Sequence, residues 1–256
     1  MHILITNDDG VFAPGLLALV KEMKKIGRVS IVAPDRNWSA SGHVKTMERP
    51  LRVKEIHLAD GTPALACDGA PSDCVALALL GLIEEKIDLV VSGMNPNPNI
   101  GHDVTYSGTV TAAMEASIAG LPGLAFSIDR PDELSGEIDY DSCARIARKL
   151  VDIIVKHNSV ANLLLNINIP WIPEDQIKGI RITRLGLRVY RDELVKRLDP
   201  RDRPYYWIGG EFPTSLSKEG TDADALKAGF VSITPLSLDF TDDKALASLS
   251  RWTWSF

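Results

Sequence analysis

The sequence predicts an α/β protein built on a mostly parallel sheet, and two observations support this fold class. Strand-like and helix-like segments alternate through the first third of the chain and again further on, which is the βαβ rhythm of a parallel sheet with right-handed crossovers. The first apolar run, Ile3–Ile5, is too short for a helix and ends in a cluster of turn-forming residues.

A helix and a second strand complete the first βαβ unit. Residues 14–26 place apolar side chains at helical spacing, with lysines on the opposite side. Pro14 suits a first helical turn and Gly27 suits the end of the helix. Residues 29–33 then have the composition of a buried strand, which Pro34 ends.

The other elements of the core follow after an interruption. Residues 43–66 are extended and polar, which predicts a hairpin inserted beside the sheet. Beyond it we predict helices over residues 73–83, 107–119 and 140–157, and strands over residues 87–91, 124–128 and 163–169.

From about Gly179 the pattern changes to short extended segments with many turns. Residues 178–203 hold nine Lys or Arg and four Asp or Glu, which indicates either a solvated arm or an arm that lies over an acidic or phosphate-bearing surface. The tail from Asp242 predicts a short helix. We expect the tail to dock onto a neighbour, because exposed apolar side chains promote association; its aromatic residues are Trp252, Trp254 and Phe256.

Length and charge exclude several classes of protein. A chain of 256 residues suits one large domain with an appended segment, and 45% hydrophobic and 24% charged residues exclude a disordered chain. The net charge of −6 argues against binding to long nucleic acids. It leaves small phosphate esters open, because a few local cationic or metal centres suffice for them.

The cysteines and the apolar runs bear on location. Cys67, Cys74 and Cys143 form no CxxC pair, so we expect small core residues in a reducing compartment. The N-terminus does not resemble a signal peptide, and no uncharged apolar run approaches the ~20 residues of a membrane span. We therefore expect a cytoplasmic protein without membrane contacts.

Three predicted strands end in polar loops, and ligands of an α/β sheet bind at the carboxyl ends of its strands. The first loop, Asn7–Gly10, places the adjacent carboxylates of Asp8 and Asp9 directly after a buried strand. Mg²⁺ and Mn²⁺ prefer such oxygen ligands, so the loop is a candidate metal site. The same residue types also suit an ordinary turn.

The second loop runs from Pro34 to His43 and offers hydroxyl groups at Ser39 and Ser41. It has the composition of a polar surface loop. Trp38 is unusual in such a loop, and its ring either stacks on a ligand or packs under the neighbouring arm.

The third loop, residues 92–101, carries three Asn alternating with two Pro and leads through Asp103 to the segment Tyr106–Thr109. This segment opens a predicted helix. A helix N-terminus with free N–H groups and hydroxyls is a natural phosphate site, and Ser107 or Thr109 also suits a simple N-cap. The two interpretations are compatible.

Other chemistries lack their motifs. No glycine-rich dinucleotide fingerprint follows the first strand, and the sequence contains neither a Walker-type Gly-Lys-Ser/Thr nor a Gly-x-Ser-x-Gly nucleophile elbow. The five histidines show no zinc spacing.

The segment Ile5–Gly15 resembles the N-terminal signature of the SurE family, the survival protein E-type, metal-dependent nucleotidases. Further segments resemble family blocks in the expected order, namely residues 32–35, 39–42, 69–75, 92–95, 106–110, 166–170, 221–222 and 231–236. The resemblance therefore spans essentially the whole chain.

The resemblance implies a three-layer, Rossmann-like catalytic core over residues 1–178, with the insertion at 43–66. It implies a C-terminal extension over residues 179–256 that completes the fold and exchanges between subunits of a homodimer or homotetramer. It also implies one divalent metal ion per subunit, Mg²⁺ or Mn²⁺, with the ligands Asp8, Asp9, Ser39 and Asn95.

Together with the loops, the resemblance implies a metal-dependent phosphatase of the 5′-nucleotidase or acid-phosphatase type, acting on nucleoside 5′- and 3′-monophosphates. In this hypothesis a metal-activated water attacks phosphorus, Asp8 and Asp9 are catalytic, and Asp8 is the candidate proton acceptor. We assign binding of phosphate and substrate to Asn7, Asn99, Ser107, Gly108 and Thr109. A covalent aspartate nucleophile and a non-catalytic nucleotide or metal sensor stay open as alternatives.

The chain departs from the family at Asn97, which lies between two prolines where the family usually has Gly. Asn tolerates left-handed backbone better than other residues with a side chain. We therefore expect the loop to keep its path and the added side chain to narrow the substrate pocket.

Overall fold

A computed structural model gives the structure of the chain and describes residues 1–130, 136–157, 163–216 and 218–255. Its strands are β1 (His2–Thr6), β2 (Arg28–Pro34), β3 (Val53–His57), β4 (Pro63–Cys67), β5 (Leu89–Asn95), β6 (Gly123–Asp129), β7 (Leu164–Pro170), β8 (Ile180–Ile182), β9 (Leu187–Leu198), β10 (Pro204–Leu216) and β11 (Val231–Pro235). Its helices are α1 (Pro14–Met23), α2 (Pro71–Leu77), α3 (Gly108–Ile118), α4 (Tyr140–Lys156), α5 (Asp222–Lys227) and α6 (Asp243–Leu249).

Nine strands form one sheet in the spatial order β3-β4-β2-β1-β5-β6-β7-β11-β8. The strands from β4 to β7 are parallel to their neighbours, whereas β3 and β11 are antiparallel to β4 and β7. The chain moves from β1 to β2 on one side and later to β5 on the other, so the strand order reverses at β1. The loops after β1, β2 and β5 therefore open at one edge of the sheet, where α/β folds bind ligands.

The core has three layers, as the alternation along β1 shows. Ile3 and Ile5 belong to a fully buried apolar cluster that includes residues of α1 and α4. Leu4, on the opposite face of the same strand, packs in a second cluster with residues of α2 and α3. Because helices cover both faces, the five residues of β1 are all buried, as expected of a central parallel strand. The predicted α/β class and three-layer core are confirmed.

The predicted elements of the core are present, with shifted ends. Helix α1 ends at Met23, because residues 24–27 form tighter turns in which the N–H of Lys25 donates to the carbonyl of Glu22. Helix α2 begins at Pro71 and passes into a wide turn over Ala78–Leu82 that contains Gly81 at φ +118°. Strand β5 runs on to Asn95, so the first part of the third polar loop belongs to the sheet.

The segment predicted as an inserted hairpin does form one, between β3 and β4. Its second strand pairs in parallel with β2, so the hairpin extends the main sheet and does not lie beside it. The three cysteines, predicted as core residues, are free and buried.

The part of the chain after residue 178 has two roles. Strands β8 and β11 complete the edge of the main sheet beyond β7. Strands β9 and β10 form a separate antiparallel ribbon over residues 187–216, which we call the hairpin arm. The division at residue 178 stays a prediction.

The predicted tail helix is α6, and it is followed by two exposed indoles, Trp252 and Trp254, stacked with centroids 5.5 Å apart. Phe256 lies outside the described residues. Within the described ranges no helix has the length and apolar character to cross a membrane.

Candidate active site

The first polar loop turns sharply after β1. The side-chain amide of Asn7 donates to the carbonyl of Gly10 at 3.0 Å and closes the turn. Gly10 has φ +102°, and a Cβ there would lie 3.2 Å from backbone atoms of Arg36, so the turn requires glycine. Asn7 and Asp8 are buried as a result, and Asp9 is half-buried.

Asp8 meets the start of helix α3. The hydroxyl of Thr109 donates to Asp8 Oδ1. A Cβ on Gly108 would lie 2.7 Å from the Cβ of Asp8, so the close approach of strand end and helix start depends on a glycine at this position. Ser107 is the N-cap of α3, and its Oγ accepts the N–H of Val110 at 3.1 Å. Asp8 and Thr109, which are 101 positions apart in the sequence, are thus in direct contact.

The second loop packs against the first and the third. The N–H of Trp38 donates to the carbonyl of Asp8 at 2.7 Å, and the N–H of Gly42 donates to the carbonyl of Tyr106 at 2.9 Å. Between these anchors Ser39 is exposed, and Ala40 has φ +57°, a left-handed conformation that is strained for a residue with a Cβ. The loop is therefore held in a specific shape next to Asp8.

Trp38 does not line the cavity described below. Its ring is half-buried and has the guanidinium of Arg36 5.3 Å from its centroid. The ring therefore makes a cation–π contact with Arg36.

The third loop presents Asn95 and Asn97. The amide nitrogen of Asn95 donates to the carbonyl of Asn97 at 2.6 Å, which leaves its amide oxygen as the atom able to bind a cation. Among the described residues the non-glycine positions with positive φ are Ala40 and Asp202, so Asn97 has ordinary backbone and its replacement of a glycine needs no left-handed conformation.

Buried amide side chains hold Asn99 in place. Its backbone N–H donates to Asn168 Oδ1 at 2.9 Å, and its carbonyl accepts from Asn166 and Asn168 at 2.7 and 3.1 Å. Its side-chain amide donates to Ser127 Oγ at 2.7 Å. One hydrogen of the Asn99 amide is therefore already bound within the protein.

A cavity of about 300 Å³ opens where these loops meet. Its walls include five of the predicted site residues: Asp8, Ser39, Asn95, Asn99 and Ser107. The remaining four do not line the cavity. Asn7 and Asp9 are the sequence neighbours of Asp8, and Gly108 and Thr109 contact it.

The electrostatics of the two carboxylates suit a cation. Burial raises the pKa of Asp8 above its ordinary value, against the hydrogen bond from Thr109 and backbone amides that lower it. Burial, and then the charge of Asp8, raise the pKa of Asp9 to about 7. No described cation pairs with either carboxylate.

The donor set also fits a divalent metal. Asp8, Asp9, Ser39 and Asn95 offer carboxylate, hydroxyl and amide oxygens, the ligands that Mg²⁺ and Mn²⁺ prefer. Among the buried side-chain polar atoms without a hydrogen-bond partner in the described structure, those of Thr6 and Asn7 lie at the end of β1 and those of Trp38 and Ser41 lie in the second loop. Two others, on Ser92 and Asn166, lie within β5 and β7. The described residues include no cluster of three His, Cys, Asp or Glu able to hold a metal.

The cavity has further lining residues that the sequence did not identify as site residues. Asp103 and Tyr106 belong to the segment of the third loop and helix start, where the polar composition was the available signal. Tyr190 comes from the hairpin arm, and no local pattern marks it. Arg188, two residues earlier, pairs with Asp103 at 2.9 Å, so one part of the basic segment lies over an acidic side chain at the site.

Comparison with known proteins shows which family the chain matches. Residues 3–192 match the family model described as survival protein SurE. The chain is 52% identical over 254 residues to the 5′-nucleotidase SurE of Chloroflexus aggregans, covering 99% of this chain and 100% of the relative. It is 49% identical over 255 residues to the 5′-nucleotidase SurE of Herpetosiphon aurantiacus, covering 100% and 99%.

A solved structure agrees with the fold. The SurE protein from Aquifex aeolicus is similar with a TM-score of 0.81 and 39% identity, and the match covers 98% of both chains.

Proposed function

Because the chain belongs to the SurE family, we infer that it is an enzyme that hydrolyses nucleoside monophosphates to nucleoside and phosphate. We propose further that Asp8, Asp9, Ser39 and Asn95 hold one divalent cation, Mg²⁺ or Mn²⁺. The observation that carries the proposal is the contact of Asp8 with the start of α3, which places a carboxylate and a helix N-terminus together at one cavity wall.

The residues of the cavity have separate tasks in this proposal. Ser107 accepts the N–H of Val110, so its own hydroxyl hydrogen can be donated to a phosphate oxygen in the cavity. Asn99 supplies the second hydrogen of its amide to the phosphate, because the first is bound to Ser127. Thr109 and Gly108 contact Asp8 and hold it in place, and their assignment to phosphate binding stays a prediction.

The chemistry that a divalent cation supplies at such a donor set is neutralisation of phosphate oxygens and a lowered pKa of water. Asp8, oriented by Thr109, accepts the proton of the attacking water. The water oxygen forms a bond to phosphorus and the bond from phosphorus to the ester oxygen breaks. The ester oxygen takes up the proton that Asp8 accepted from the water, so the nucleoside leaves as an alcohol and Asp8 returns to its carboxylate form.

The test is Asp8→Asn, assayed by phosphate release from nucleoside monophosphates at saturating Mn²⁺ and by binding of Mn²⁺ itself. We expect activity to fall about 10²–10⁴-fold and Mn²⁺ binding to weaken, because the change removes a proton acceptor and a charged ligand. Asp152→Asn is the control, since Asp152 lies on α4 and pairs with exposed Lys156. Full activity in Asp8→Asn contradicts the assignment, and a wild-type protein that binds nucleotide without releasing phosphate favours a sensor.

The hairpin arm supports a proposal about assembly. It is a two-stranded ribbon with large apolar side chains exposed on both strands, among them Leu194, Trp207, Ile208 and Phe212 at 73%, 64%, 84% and 67% exposure. Exposed apolar surface of this kind marks an interaction site. We therefore propose that the arm joins copies of the chain into a homodimer or homotetramer.

A further inference from the structure

One aromatic ring reaches the catalytic cavity from a distant part of the chain. Tyr190 lies on β9 of the hairpin arm and lines the same cavity as Asp8 and Ser107. Its side chain is 40% exposed, so the ring presents surface to the cavity and is not packed in the core.

The ring of Tyr190 is fixed in place by charged neighbours. Its hydroxyl donates to Asp103 Oδ1, and the other carboxylate oxygen of Asp103 accepts from Arg188 Nε at 2.9 Å. Arg188 also donates to Ser215 on β10 at 3.0 Å, and its side chain is only 14% exposed. Because residues 188 and 190 lie on the same face of β9, one partly buried ion pair orients the tyrosine.

The wall of the cavity combines two kinds of chemistry. Asp8, Ser39, Asn95 and Ser107 supply polar groups suited to a phosphate and a cation. Tyr190 supplies an apolar ring from β9, an element separate from residues 107–109 at the start of α3. The base of a nucleoside monophosphate is separated from its phosphate by the sugar, so a partner for the base has to come from such a separate part of the wall.

We propose that Tyr190 stacks on the nucleobase of the substrate and that Asp103 and Arg188 are positioning residues for its ring. The proposal rests on the proposed function, and it adds a base-binding subsite to the phosphate site. Stacking of a base on an aromatic side chain contributes about 1–3 kcal/mol, which corresponds to about 5- to 150-fold in binding.

A pair of substrates isolates this contribution. Adenosine 5′-monophosphate and ribose 5-phosphate carry the same phosphate and sugar, but the second has no base. In Tyr190→Ala we expect kcat/KM for the nucleotide to fall about 5- to 150-fold, mainly through KM, and kcat/KM for ribose 5-phosphate to change less than about twofold. Tyr190→Phe keeps the ring and should keep most of the preference for the nucleotide.

Two further aromatic residues of the arm serve as matched variants. Tyr205→Ala changes a tyrosine of equal exposure, 40%, at the far end of the ribbon, and should leave the ratio of the two kcat/KM values unchanged. Phe212→Ala tests an adjoining cavity of about 610 Å³, which shares Asn97, Pro98 and Asp103 with the catalytic cavity. A selective loss for the nucleotide in Phe212→Ala and not in Tyr190→Ala places the base there and overturns the proposal.

Binding of adenosine gives a readout without catalysis, and we expect it to weaken in Tyr190→Ala and not in Tyr205→Ala. Wild-type protein that releases phosphate from neither substrate overturns the proposed function and the base subsite with it. Wild-type protein that is active on both, with an equal loss or no loss in Tyr190→Ala, overturns the role of Tyr190 alone.

Discussion

The carboxylate of Asp222 accepts a hydrogen bond from the backbone N–H of Gly101 at 2.8 Å, although the two residues are 121 positions apart. Its other oxygen accepts the N–H of Gly186 at 2.9 Å, just before the hairpin arm. Asp222 is fully buried. Gly101 has φ +54°, and a Cβ there would lie 2.8 Å from the carbonyl oxygen of Gly186. The third loop and the root of the arm are thus fastened to one side chain.

Asp222→Ala should destabilise the protein and lower its activity. Two buried N–H groups lose their acceptor, and each costs about 1–3 kcal/mol, so we expect the free energy of unfolding in urea to fall by about 2–5 kcal/mol. Asp224→Ala is the control, because Asp224 makes a partly exposed pair with Arg181 at 3.5 Å and should cost less than about 1 kcal/mol. Equal losses in the free energy of unfolding of the two variants would contradict the role of Asp222 in holding the third loop and the start of the arm together.

Gly108→Ala should lower phosphate release more than it lowers the stability of the fold. The added Cβ has no room beside Asp8, so the carboxylate or the start of α3 has to shift. We expect phosphate release to fall at least about 10²-fold, since a displacement of about 1 Å in a catalytic group has this effect. Ser117→Ala, near the other end of α3, should keep full activity. Wild-type activity in Gly108→Ala would show that the close approach is not needed.

Glu115 on α3 should contribute stability that acid removes. Its carboxylate has contacts of 3.0 Å with both His43 and Lys45. The hydrogen bond with His43 lowers the pKa of Glu115, and the hydrogen bond from Lys45 also lowers it. Burial of the carboxylate acts in the opposite direction. Because the folded pKa is below the ordinary value of 4.5, the stabilisation is present above that pH and is lost as the pH falls through the folded pKa.

The measurement is urea unfolding of wild type and Glu115→Gln between pH 7 and pH 3. We expect a difference of about 1–2 kcal/mol at pH 7 that shrinks below pH 4.5. Glu55→Gln changes an exposed side chain on β3 and should show a smaller difference at neutral pH. A Glu115→Gln difference that stays constant with pH would exclude the proposed charge effect.

The assembly proposal concerns Leu194 and Ile208, which lie opposite each other in the hairpin arm. Leu194→Lys combined with Ile208→Glu removes the apolar pair and keeps a favourable cross-strand pair, so the ribbon itself should persist. We expect light scattering to show a smaller particle than for wild type. Exchanging the charges of Arg191 and Glu211, which also face each other, should leave the mass unchanged. An unchanged mass in the apolar variant would assign assembly to another surface.

Local patterns predicted most of the fold because they depend on neighbouring residues. The short apolar run of β1 and the helical spacing in α1 are visible in short segments, and both elements occur where expected. Ends were harder to predict: β5 continues through Ser92 and Asn95 because it pairs with β6, a contact that its own composition does not reveal.

The sequence by itself determined the α/β class, the three polar loops and the residue types suited to a phosphate and a cation. The tertiary structure alone decided that Gly108 touches Asp8, that Asn168 and Asp222 hold the third loop, and that Tyr190 lines the same cavity as Asp8. The reason is physical. Helical and strand periodicity arise between near neighbours, whereas these contacts join residues about 70 to 180 positions apart, and their positions depend on the order in which the whole sheet is assembled.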